Sequence, residues 1–84
     1  MYKVYNSNNA LCGVEYESFN EAINKFYRLL EDAYKYNAPF NRANSYSITN
    51  GTKTITLIAS EYEVYNSFDG KDKLIKDIKE KLGE

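Results

Sequence analysis

Residues 45–59 read SYSITNGTKTITLIA, and their interpretation decides the fold. Asn50-Gly51 is a turn signal for a two-residue hairpin, because both central positions of a type I′ turn need positive φ. That turn predicts Thr49 opposite Thr52, Ile48 opposite Lys53 and Tyr46 opposite Ile55. In this register Tyr46, Ile48, Ile55, Leu57 and Ala59 share one face. Ser45, Ser47, Thr49, Thr52, Thr54 and Thr56 share the other, and a one-residue slip would mix the two sets. One face is therefore core and the other hydroxyl-rich and wet. Lys53 is the exception on the core side, near enough to the tip to reach water.

Upstream, Ser18-Phe19-Asn20-Glu21 has the form of a capping box. Phe19, Ala22, Ile23, Phe26, Leu29, Leu30, Ala33 and Tyr34 then recur at steps of three and four, which predicts an amphipathic helix over 18–36. Asn37 and Pro39 supply its stop, and Glu21–Lys25 and Glu31–Lys35 are i,i+4 pairs along it. Before it, a shorter hairpin is expected: Tyr2–Asn6, a loop at Ser7-Asn8-Asn9, then Ala10–Glu17. Val4 would pair with Cys12 and Tyr2 with Val14. Downstream, the alternation changes phase at Ser60-Glu61, which marks a bulge or break. A last helix is predicted from Lys71 to Leu82, with Asp69 as N-cap and Gly83 as C-cap.

The hexapeptide Tyr-x-Val-Tyr-Asn-Ser occurs twice, at 2–7 and at 62–67. Each copy reads as a short half-buried strand ended by Asn-Ser. The differing position carries Lys3 in one and Glu63 in the other, a favourable pair if the strands are neighbours. Residues 2–6 and 62–66 are thus expected in one sheet. The order becomes β-β-α-β-β-(β)-α: a small α+β domain over 1–84, an antiparallel sheet with two helices packed on one face.

Size and charge restrict function. The chain has 84 residues and a net charge of −1; a core of this size buries about 60% of the unfolded surface. Nucleic-acid binders usually carry a basic excess. The lysines of 71–81 are balanced by Asp69, Asp72, Asp77, Glu80 and Glu84, so that segment reads as a solvated helix face. One cysteine and no histidine exclude an intramolecular disulfide, a cysteine-based zinc site and any His-dependent triad. Cys12 falls on an inward strand face and reads as a small buried hydrophobe. Glu15-x-Glu17 and Glu61-x-Glu63 could hold a cation only as neighbours around a cleft; they read as charged strand edges. No glycine-rich phosphate loop is present. An enzyme is not expected, nor a cofactor or metal.

Without a leader or a long apolar run, a cytoplasmic protein with no membrane partner is expected. Phe, Tyr, Met, Ile, Asn and Lys, all with AT-rich codons, make up 39 of the 84 residues, which suggests a low-GC bacterium or its phages.

What remains is binding. The connection from Tyr36 to Asn44 presents Tyr36, Phe40 and Arg42 beside Pro39, and aromatics and arginine dominate interface hot spots. Phe40 could equally plug the end of the core. Tyr5 and Tyr65 complete the candidate partner-binding set. The function expected is a non-enzymatic protein-binding inhibitor or adaptor of phage or mobile-element origin, of an anti-defence, anti-CRISPR-like kind. The alternatives are a nucleic-acid or small-ligand module using the open Tyr/Ser/Thr sheet face, and a homodimeric structural protein.

Overall fold

The computed structural model describes residues 1–36 and 40–84. Strand β1 (Lys3–Asn6) is followed by helix α1 (Phe19–Lys35), a 3₁₀ helix at Phe40–Ala43, strands β2 (Ser45–Thr49) and β3 (Thr54–Ile58), a second 3₁₀ helix at Ala59–Tyr65, and helix α2 (Gly70–Leu82). The sheet is antiparallel throughout, in the order β1-β2-β3. Val4, Ile48 and Leu57 on its inner face join the buried stripes of both helices in one cluster, with Phe19, Ile23, Phe26 and Leu30 from α1 and Leu74, Ile78 and Leu82 from α2. The α+β class and the two-layer arrangement are those the periodicities predict.

The helix termini follow from local chemistry. The Glu21 amide donates to Ser18 Oγ at 3.2 Å, and the Ser18 hydroxyl donates to Glu21 Oε1 at 3.0 Å. Lys35 pairs with Glu31 at 3.1 Å. Gly83 ends α2 with φ +80°, the left-handed geometry that favours glycine. The stop assigned to Asn37 and Pro39 lies outside the described residues. Asp69 does occupy the N-cap position of α2, but its side chain caps nothing there; instead it accepts from the Ser67 hydroxyl at 3.1 Å.

Three expectations are corrected. In the central hairpin Thr49 pairs with Thr54, Ile48 with Ile55 and Tyr46 with Leu57, two positions from the predicted register. A shift by two leaves every side chain on its predicted face. Its cause is side-chain bonding in a four-residue connection: Asn50 Oδ1 accepts from the amides of Thr52 (2.9 Å) and Lys53 (2.8 Å), and Thr49 Oγ1 accepts from Gly51 (3.1 Å). Lys53 therefore sits in the turn, and the polar exception on the core face disappears.

The first hairpin is reduced to two isolated bridges, Tyr5 with Leu11 and Tyr2 with Tyr16. The Cys12 amide donates to the Val4 carbonyl at 2.7 Å, as the predicted pairing requires. Toward Tyr2 the partner becomes Tyr16 instead of Val14. The two extra residues are taken up around Gly13, at φ +86°, and Val14 is left 62% exposed.

The third correction is the largest. Residues 62–66 do not pair with 2–6; 59–65 form the second 3₁₀ helix. Lys3 pairs with Glu15 at 2.9 Å instead of Glu63. Ala59, Tyr62 and Tyr65 are buried, a spacing of three that matches the three residues per turn of this helix. Tyr62 packs its ring against Tyr27 and Tyr34, with centroids 5.4 Å from each.

The chain then turns tightly into α2. A Cβ on Gly70 would lie 1.6 Å from the Tyr65 carbonyl oxygen, so no other residue fits without moving backbone. Gly70→Ala is expected to cost about 3 kcal/mol and lower the Tm by roughly 10–20 °C. Chemical denaturation showing unchanged stability would contradict this packing.

Candidate partner-binding surface

The predicted contact residues take up different places. Tyr36 is 63% exposed beyond the end of α1. Arg42 is half-buried and engaged at home: its Nε donates to the Tyr34 carbonyl at 3.1 Å, and its guanidinium lies 4.1 Å from the Tyr34 ring centre. It ties the first 3₁₀ helix to α1. Phe40 begins that 3₁₀ helix; whether its ring plugs the core lies outside the described side chains. Tyr65 is buried, and its hydroxyl donates to Asp77 Oδ2 at 2.9 Å. Burial, helped by Asp77, pushes that phenol up to about 12, so Tyr65 belongs to the core and offers no surface contact.

Tyr5 lies on the outer face of the sheet, opposite Ser47. With Lys3, Glu15, Thr49 and Thr54 it lines a shallow depression there. The hydroxyls of Ser47 and Thr56 bond to each other at 2.7 Å, and the Lys3 ammonium is satisfied by Glu15. This is the wet face predicted from the hydroxyl pattern.

On the helical side, the Tyr62 hydroxyl bonds to the Tyr27 hydroxyl and donates to Glu31 Oε2, both at 2.8 Å. Glu31 also accepts from Lys35. The Tyr62 hydroxyl holds the Glu31 carboxyl below its ordinary value, against the opposing effect of burial. Burial and these same bonds push the Tyr62 phenol upward. The Glu61 side chain accepts from the Ile58 amide at 2.9 Å. Among the described residues no three His, Cys, Asp or Glu side chains form a metal-binding group, and no helix is long and apolar enough to cross a membrane.

Sequence reasoning missed the most exposed apolar side chain, Phe68. From the end of β3 to the start of α2, three apolar residues are exposed: Ile58 at the end of β3 (44%), Val64 in the second 3₁₀ helix (61%) and Phe68 in the turn into α2 (107%). The turn that carries Phe68 is closed by Gly70 N–H to Ser67 O at 3.1 Å, between the last bond of the second 3₁₀ helix (Asn66 N–H to Glu63 O, 3.3 Å) and the first of α2 (Lys73 N–H to Asp69 O, 3.0 Å). From Thr54 to Gly70 the only charged residues are Glu61, Glu63 and Asp69. Along this stretch of chain the exposed apolar residues alternate with carboxylates, before Lys71 and Lys73 open α2. A spacing of three at 59, 62 and 65 is the signal for Val64, since it turns that residue outward.

Neither a protein family, a curated relative nor a solved structure matches this chain.

The hydroxyl cluster can be tested through stability. Tyr62→Phe keeps the ring but strands the Tyr27 hydroxyl and removes a donor from Glu31, and is expected to cost about 1–2 kcal/mol at pH 7. Because the folded Glu31 carboxyl is held low, its contribution is fully present above the unfolded value of about 4.3 and is lost as pH falls through the lower folded value. The difference between wild type and Tyr62→Phe should therefore narrow below about pH 4. Parallel stability profiles through that range would contradict the assignment of Tyr62 as the principal cause.

Proposed function

We propose that this protein works by binding another protein, through the surface that carries Val64 and Phe68. The observation that supports this reading is the Phe68 ring, fully exposed on a hydrogen-bonded turn. Burying a phenylalanine side chain is worth about 1.5–3 kcal/mol, a gain that folding leaves unrealised here and that a partner can collect. A small rigid loop also loses little entropy on binding.

The flanking carboxylates specify the partner's chemistry. An apolar pocket rimmed by lysine or arginine suits Val64 and Phe68 set among Glu61, Glu63 and Asp69. Complementary charge accelerates encounter and weakens with salt. Tyr36 is a second exposed aromatic, just past the end of α1. Size and the abundance of residue types with AT-rich codons fit an inhibitor or adaptor carried by a phage or mobile element and directed at a bacterial defence component. A small adaptor of this kind acts by occupying a surface, which needs no catalytic constellation.

The test compares immobilised wild-type protein with Phe68→Ser in capture from a low-GC bacterial lysate. A protein retained by wild type should bind Phe68→Ser about tenfold or more weakly, with unchanged circular dichroism, and should elute at raised salt. Equal capture of the same proteins by both forms would overturn the reading.

A further inference from the structure

The sheet has two edges, and they are treated differently. Beside β1 the chain itself returns, through the bridges at Tyr2–Tyr16 and Tyr5–Leu11. Beside β3 no strand follows among the described residues. The bonds that flank the β2–β3 ladder set its phase: the Asn50 amide donates to Lys53 O at 3.2 Å, and the Ala59 amide to Asn44 O at 2.7 Å. Bonded pairs recur at every second residue of an antiparallel ladder. Positions 53, 55, 57 and 59 therefore face β2, and Thr54, Thr56 and Ile58 turn their amides and carbonyls outward. The position of Glu61 agrees, since its carboxylate meets the outward Ile58 amide at 2.9 Å.

Natural edge strands are usually blunted by charge, proline or a bulge. From Thr54 to Ser60 this edge has no charged residue and no proline; Glu61 caps only the Ile58 amide at its end, and Thr54, Thr56 and Ile58 are exposed. We infer that the β3 edge pairs antiparallel with the β3 edge of a second copy, joining two three-stranded sheets into one of six strands. The occupant follows from self-complementarity. Lys53 immediately precedes the strand and Glu61 lies just past its end, so antiparallel apposition brings Lys53 of each copy to the end that carries Glu61 of the other. With the two-fold axis at Thr56, Thr54 lies opposite Ile58 of the second copy and Thr56 opposite itself. Threonine pairs across strands are favourable, and the outward carbonyls and the Thr54 and Thr56 amides gain partners, the Ile58 amide being already held by Glu61. This pairing takes up Ile58 and Glu61 but leaves Val64 and the turn at 66–70 outside the paired strands, so variants at Thr56 test it separately from Phe68→Ser.

Analytical ultracentrifugation of the wild-type chain up to about 1 mM should show two copies per particle, the range in which a weak dimer of about 4 kcal/mol or better is populated. Thr56→Lys places like charges face to face at the axis and should sediment as one copy, with unchanged circular dichroism. In a Cys12→Ser background, Thr56→Cys should oxidise to a covalent dimer, since directly opposed bonded residues lie about 5.5 Å apart, within disulfide reach. A wild-type monomer at the highest concentration would overturn the inference. So would a dimer that neither Thr56→Lys disrupts nor Thr56→Cys crosslinks.

Discussion

A single buried tyrosine organises the second half of this molecule. Tyr62 is 1% exposed, and a phenol so placed must find a partner for its hydroxyl. It finds two on α1, the Tyr27 hydroxyl and the Glu31 carboxylate, while its ring fills the space between Tyr27 and Tyr34. All four contacts are met where the chain leaves the sheet at Ala59 and coils as a 3₁₀ helix. Among the described residues no fourth strand follows β3. β3 becomes an edge, Val64 turns to solvent, and the turn with Phe68 is pushed outward before α2 folds back beneath the sheet.

The repeated hexapeptide shows how far local sequence reaches. At 2–7 it is a strand, with Val4 fully buried; at 62–67 the same residues are largely 3₁₀ helix, with Val64 61% exposed. Alternation assigns Tyr62 and Val64 to one face, whereas the structure buries Tyr62 and Tyr65. Neither pattern is wrong locally. The choice is made by the surroundings: β2 offers Val4 a ladder and a core, while α1 offers Tyr62 a slot with hydrogen-bond acceptors. Propensity is weak enough for tertiary context to decide.

The features legible in sequence were those whose physics is confined to a few residues. The Ser18–Glu21 cap, the α1 stripe and the Gly83 terminus depend on near neighbours, and each is found where it was expected. The hairpin faces were legible for the same reason, since parity survives the two-residue change that Asn50 and Thr49 impose on the turn. The first hairpin was half legible: its register holds at Cys12 and fails past Gly13. Of the predicted contact residues, Tyr36 is exposed, Arg42 is occupied by Tyr34 and Tyr65 is buried beside Asp77. An aromatic side chain's type gives no sign of whether it faces in or out; that depends on which neighbours compete for the core. Phe68 escaped notice because it follows no periodic pattern at all.

The most direct measurement is solution NMR of the chain with a soluble paramagnetic agent, read at Val4, Val64 and Phe68. Strong broadening of the Val64 methyls and the Phe68 ring is expected, with Val4 protected and Tyr62 showing ring contacts to Tyr27 and Tyr34. Equal protection of Val4 and Val64, with cross-strand contacts between 2–6 and 62–66, would contradict the 3₁₀ switch and remove the exposed apolar surface with it.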